Sequence, residues 1–199
     1  MDFTQAKSTT LSHQSLTHPN SIEGTAVSVA TALECLVVMW HALIEATANT
    51  NPGTFRIFGS LDPTNDEDWF HIMDIDVSTA TAATEAMTAT EPIAETVLAV
   101  ASTTGFVAKD NIYVQDTGVE ADSEWHTIDK IVSNTSIDIM MGLTAQKDSA
   151  DVIWGSAQQF RVALNCAGLS RIRVDFSHEG ATGANCAVKA EINVATDIE

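Results

Sequence analysis

Two stretches of the chain gather side chains able to do chemistry. The first, "SLDPTNDEDWFHI" (60–72), crowds Asp62, Asp66, Glu67 and Asp68 around an Asn, then follows with Trp69 and His71. The second places Glu120, Asp122 and Glu124 just before Trp125 and His126. Oxygen-rich loops bind calcium, and carboxylates beside a histidine pass protons, so each chemistry is tested against spacing. An EF-hand loop needs Gly at its sixth position and Glu at its twelfth. Counted from Asp62, those positions hold Glu67 and Met73, so that form fails. A looser calcium site from Asp62, Asp66 and Asp68 stays open as the lesser reading. Against it stands a hairpin turn whose Asp, Pro and Asn suit the bend and whose acids face water. Acid–base work at 120–126 would need a cleft and carboxylates in unlike environments. Strand alternation would split these neighbours, and short exposed loops of acidic chains look the same, so no catalytic residue is assigned.

Other signatures thin out quickly. There is no HExxH, GxSxG or P-loop, which removes zinc-protease, serine-hydrolase and nucleotide-binding readings. His13 and His18 lie in a polar N-terminal stretch, His41 and His71 in strand-like runs, and His126 and His178 near turns; all read as ordinary hydrogen-bonding side chains. Trp40, Trp69, Trp125 and Trp154 could line a sugar platform, although Trp on strands is more often core. Cys35, Cys166 and Cys186 are odd in number and widely spaced, which reads as buried thiols without a disulfide framework or zinc pair. No cofactor is expected.

Nine Lys and Arg stand against 27 acids, a net charge of −18 over 199 residues. A phosphate backbone would repel such a chain, which excludes direct nucleic-acid binding as a reading. An apolar share of 45% with 18% charged residues is globular. "MDFTQAKSTTLSHQSL" lacks a basic segment followed by an apolar core, so no signal peptide is read there. "CLVVMWHALI" is too short to span a bilayer, and a soluble, cytoplasmically made chain without membrane contact is expected.

The elements that must position these residues are strands. Residues 1–24, rich in Ser, Thr, His, Asn and Gln, read as an extended arm that is not packed. In "ALECLVVMWHALIEA", Leu36, Val38, Trp40, Ala42 and Ile44 share one face by period-2 alternation. "TFRIFGSL" and "WFHIMDIDV" alternate on either side of the acidic stretch. Thr- and Ala-rich residues 78–92 read as a linker or loose strand at a domain boundary. "ETVLAVAS", "DNIYVQD", "SEWHTIDKIVS", "NTSIDIMMG" and "ADVIW" then form short strands between turns, which must close on one another as a small barrel. Longer alternation returns in "FRVALNCAG", "SRIRVDFSH" and "CAVKAEINV". The expected fold is all-β. A jelly-roll-like antiparallel β-sandwich is built from 25–80 and 156–199, and a small β-barrel domain (90–155) is inserted between them.

The stretch 102–154 resembles a β-module of structural proteins of tailed bacteriophages, in its "TTGF" before a strand, "DTG", "SEW", and "NTS" leading to "GLT". The flanks "FRIFGSLDPTNDEDWFHI" and "GLSRIRVDFSHEGATGANCAVKAEI" resemble hairpins and closing strands of virion sandwich domains, so the likeness covers about 25–199. It implies a non-catalytic virion component present in many copies and assembled in the host cytoplasm. A capsid decoration or cement protein comes first, and a neck, collar or tail component second. The implied partners are the major capsid protein or other virion proteins and further copies of the chain. A sugar- or calcium-dependent host-binding module is the alternative of a different class. The N-terminal arm would add to a partner's sheet edge, so deleting 1–24 would leave the sandwich folded.

Overall fold

The computed structural model describes residues 4–17, 20–44, 53–65, 67–77, 83–155, 157–178 and 185–196. The fold is all-β. Its strands are β1 (Thr4–Thr17), β2 (Ser21–Ile22), β3 (Val27–Ser28), β4 (Glu34–Leu43), β5 (Thr54–Ser60), β6 (Trp69–Asp76), β7 (Thr84–Ala86) and β8 (Val97–Ala99). They continue with β9 (Asn111–Gln115), β10 (Glu124–Val132), β11 (Ser136–Ile139), β12 (Val152–Trp154), β13 (Gln158–Asn165), β14 (Arg171–Ser177) and β15 (Asn185–Thr196). One turn of 3-10 helix, Glu120–Asp122, precedes β10.

Two sheets form a sandwich. Sheet A has the order β1-β15-β4-β13, and sheet B the order β2-β14-β5-β6, with β3 also on β14. If β2 and β3 are counted as one interrupted strand, sheet A takes the first, eighth, third and sixth sandwich strands. Sheet B takes the second, seventh, fourth and fifth. That order is a jelly roll, two interlocked Greek keys. Val188, Ala190, Ile192 and Val194 of β15 face Phe55 and Ile57 of β5 and Ile172, Val174 and Phe176 of β14 across one shared core. Full burial of each Val, Ile or Phe among them is worth about 1.5–3 kcal/mol.

β4 faces this core with Cys35, Val37 and Met39, so the set Leu36, Val38, Trp40, Ala42 and Ile44 shares its other face. Its other face is covered at one end, where Ala42 and Ile44 pack with Tyr113, Trp125 and Ala187 against the second body. With apolar residues on both faces, alternation alone cannot choose between them.

Residues 4–17 are no loose arm. β1 pairs with β15 from Thr4↔Thr196 to Thr17↔Asn185, with two register breaks, and buries Leu11 and Leu16 in the core. At the first break Thr10 joins the two sheets. Its hydroxyl donates to the Thr25 carbonyl (2.7 Å) and accepts from the Val174 amide (3.2 Å). The approach is close enough that a Cβ on Gly24 would sit 2.1 Å from the Val174 carbonyl oxygen. Polar residues on one edge-strand face made this segment read as unpacked.

The second body is the six-stranded sheet β7-β12-β9-β10-β11-β8, curled until its ends meet. A Met87↔Val100 bridge, with the Thr88 amide donating to the Ala99 carbonyl (2.9 Å), joins the β7 end to the β8 end. Leu98, Ile112, Val114, Ile128, Ile137 and Ile153 fill it. This sheet begins at Thr84, earlier than the expected position 90, because the Thr-rich stretch supplies β7 on the flank of β12.

Candidate functional site

Within 120–126, residues 120–122 form the exposed turn their acids implied, but 123–126 lead into a strand with Glu124 and His126 turned inward. Glu124 and His126 lie two apart on β10, so they share a face, and both are buried. Around the Glu124 carboxylate, Lys147 Nζ lies 3.0 Å from Oε1 and His126 Nε2 lies 3.0 Å from Oε2. The Thr144 amide (2.9 Å) and hydroxyl (2.8 Å) both donate to Oε2. Lys147, wholly buried, also donates to the Asp122 carbonyl at 2.5 Å. Burial works to raise the Glu124 proton affinity, but His126, Thr144 and Lys147 outweigh it and hold the carboxyl down at about 2. A carboxylate so saturated stays ionised and anchored at neutral pH, the opposite of a group poised for proton transfer. It ties the 142–147 segment to β10. The spacing that grouped Glu120 and Asp122 with Glu124 does not survive folding: the Glu120 carboxylate accepts the Ser15 amide of β1, and Asp122 contributes only its carbonyl. Lys147 was missed, since nothing in "TAQKDSA" distinguishes a buried lysine from a surface one.

Where the two bodies meet, a cleft of about 560 Å³ opens between the outer face of sheet A and β10. Sheet A contributes Trp40, Lys189, Gln159 and Arg161; the facing wall carries Trp125, Met140 and Met141. Cross-strand register sets the first wall, since Trp40 sits between Lys189 on β15 and Gln159 on β13. The Lys189 ammonium lies 5.3 Å from the centre of the Trp40 ring. Lys189 and Lys7 each reach Glu191 at 2.8 Å; burial raises the affinity of that carboxyl, but the two lysines overcome it and the net shift is downward. At the cleft's inner end His13 Nε2 lies 2.7 Å from Tyr113 Oη, and the His13 ring stands edge-on to Trp125. Burial lowers the His13 proton affinity and raises that of Tyr113. Among the described residues, neither His13 Nδ1 nor Trp125 Nε1 has a hydrogen-bond partner.

The acidic hairpin lies away from this cleft. β5 and β6 pair antiparallel around it, the strand–turn–strand unit that alternation predicted. Asp62 Oδ1 accepts the amides of Thr64 (2.7 Å) and Asn65 (2.8 Å), which together with the Thr64 hydroxyl lower its proton affinity. Arg171 Nε donates to the Asp62 carbonyl (2.9 Å), and Asp68 accepts from the Asn65 side-chain amide (3.2 Å). Asp66 lies outside the described residues, and no group of three metal-ligating side chains occurs among the described ones. The four tryptophans are not one platform. Trp40 and Trp125 share the cleft, Trp69 lies between Arg171 (4.9 Å) and Arg173 (4.8 Å), and Trp154 Nε1 donates to Gln115 (2.9 Å). Cys35, Cys166 and Cys186 are free and buried, and burial raises the thiol affinities of Cys35 and Cys186. His41 differs from its expected hydrogen-bonding role: both ring nitrogens lack a partner among the described residues, and burial beside His178 pushes it down to about 3.

No protein-family model matches the chain, and no curated protein sequence matches it. Among solved structures, the SPBc2 prophage-derived protein YomS aligns over 97% of this chain and 96% of its own, at 12% identity and a TM-score of 0.30. The K3 cleaved adhesin domain of Lys-gingipain from Porphyromonas gingivalis w83 aligns over 96% and 74%, at 12% identity and 0.36. Infectious bursal disease virus, Gt strain, aligns over 98% of this chain and 41% of its own, at 10% identity and 0.26. Likenesses this low decide neither family nor role. The fold rests on strand order and register.

Proposed function

We propose that the chain is a non-catalytic structural protein of a tailed-bacteriophage virion, and within it a decoration or cement protein on the outside of the head. One observation carries the reading: a stretch resembling a phage virion module, residues 102–154, supplies most of a closed barrel set between strands of a jelly roll. Jelly rolls serve viral capsid and lectin domains alike, so the fold admits the role without choosing it. Two further features support it. The cluster richest in catalytic residue types is spent on anchoring a loop, and a charge of −18 disfavours contact with packaged nucleic acid. In this role the protein acts through surfaces contacting the major capsid protein or other virion proteins, after synthesis in the host cytoplasm. Adding the purified chain to heads lacking it tests the assignment: binding that raises the heads' heat resistance is expected. Binding restricted to necks or tails would move it to the runner-up position, and no binding to any particle would end the virion reading.

A host-binding module is the second reading, favoured by the cleft that brings Trp40 and Trp125 together. A glycan array probed with the wild type and with Trp40→Ala tests it; sugar binding lost in the variant would favour it over assembly. For the acidic hairpin we propose a turn tip and no metal, because the Asp62 and Asp68 carboxylates already accept from the loop's own donors. Calcium and a chelator are then expected to leave the melting temperature unchanged, and a rise with calcium would return the metal to Asp62, Asp66 and Asp68.

A further inference from the structure

Open strand edges attract other strands, and soluble proteins blunt them with short strands, bulges and charge. Three of the four sandwich edges carry such devices. β1 has two register breaks and a Glu120 carboxylate on the Ser15 amide. The opposite edge of sheet B is split into the two-residue strands β2 and β3. β6 carries Asp74 and Asp76 and follows Glu67 and Asp68. The barrel closes its own ends through the Met87↔Val100 bridge.

β13 has none of these. It runs against β4 from Gln158↔His41 to Asn165↔Glu34 without a register break, and among the described residues no strand pairs with its other side. It contains no acid, Pro or Gly, and Arg161 is its one charge. Its core-side residues Phe160, Val162 and Leu164 remain half-buried, although their β4 partners Met39, Val37 and Cys35 are buried. The core is left uncovered along this rim.

We infer that β13 is a self-association edge, where a second copy of the chain adds its own β13 antiparallel about a two-fold axis at Val162. Residues opposite one another must share a sheet face, so the axis falls on a residue. Centring on Arg161 would set two guanidiniums face to face; centring on Ala163 would shorten the overlap. Centring on Val162 places Phe160 against Leu164 of the second copy, Arg161 against its Ala163, and Gln159 against its Asn165. The apolar pairs cover the exposed rim of both cores, and the sheets A join into one continuous sheet. In a chain of −18, this acid-free edge is where two copies approach with least repulsion. The inference stands apart from the virion reading, since it concerns the chain alone.

Sedimentation of the full chain over a concentration series tests it. The wild type is expected to dimerise. Ala163→Lys, at an exposed position, sets a cation against Arg161 of the second copy and should raise the dissociation constant at least tenfold with the melting temperature preserved. Adding Arg161→Glu to that variant should restore dimers, a recovery specific to this register. Independently of any variant, amide exchange over 159–165 should slow as wild-type concentration passes the dissociation constant. A wild type monomeric at every concentration overturns the inference and leaves the edge to a strand of another protein. Oligomers indifferent to Ala163→Lys, or not recovered by the double change, overturn it equally.

Discussion

Replacing Lys147 with Met would strand the Glu124 carboxylate in a buried site without its ammonium partner. Breaking a buried pair from one side costs about 3–5 kcal/mol, whereas removing both charges costs far less. Lys147→Met is therefore expected to lose stability on that scale in urea titrations, and Lys147→Met with Glu124→Gln to recover much of it. Acid acts through different groups in sequence. The folded His41 binds its proton only near pH 3, while an unfolded histidine binds one near 6.5, so the unfolded chain gains protons first. Stability contributed by neutral His41 therefore drains as pH falls from about 6.5 toward 3. Glu124 is depressed as well; its contribution is complete above the unfolded carboxyl value near 4.3 and is lost as pH falls toward 2. His41→Leu should flatten the loss between pH 7 and pH 5. It also removes two ring nitrogens that have no partner among the described residues, for a gain of about 1 kcal/mol at pH 7. Urea midpoints at the two pH values decide; an unchanged difference would sink the claim. At this scale little was legible in the sequence. The Glu124–His126 alternation was visible, but Lys147 reaches them from a separate turn, and no spacing rule joins residues so far apart.

Among the elements, β1 carries the sharpest consequence. Leu11 and Leu16 fill the core and Thr10 links both sheets, so this strand is part of the sandwich and not an appendage. Deleting residues 1–24 is expected to give an insoluble or molten chain, seen as lost cooperative unfolding; a truncated chain that melts like the wild type would show β1 to be dispensable. β5, β6, β14 and β15 were legible because one face meets water or charge and the other meets core, as in Arg171, Ile172, Arg173 and Val174, whereas the two-residue strands β2 and β3 were not. β4 was legible as a strand but not in its orientation, since the second body covers one end of what would otherwise be its polar side. β1 was hidden for the converse reason: an edge strand with bulges shows Ser, Thr and His at positions where alternation would require apolar residues.

For the whole molecule, long alternating strands return after Trp154 as β13, β14 and β15 of the two sandwich sheets, while the contact between the bodies left no trace in the sequence. Ala42 and Ala187 read as small strand residues until Tyr113 and Trp125 are seen packed near them. We propose that the barrel is a separate folding domain, because its strands are contiguous in sequence and its sheet closes on itself. Residues 83–155 expressed alone should then give a β-type circular dichroism spectrum and a cooperative melt. A fragment without either would mean that the sandwich is needed to shape it.

The pairing of Thr4 with Thr196 also sets an order of events during synthesis. All six barrel strands precede β13, β14 and β15 in the chain and so emerge from the ribosome before them. Until those arrive, β1 and β4 have no neighbours in sheet A, and Val37, Met39, Phe55 and Ile57 have lost half of the core they belong to. Until β13, β14 and β15 have followed the barrel out, the chain carries an unfinished, apolar half-sandwich. Non-local strand pairing of this kind is slow and leaves sticky intermediates, so crowding of nascent chains is most hazardous in that interval. It closes only when the last strand slots between β1 and β4.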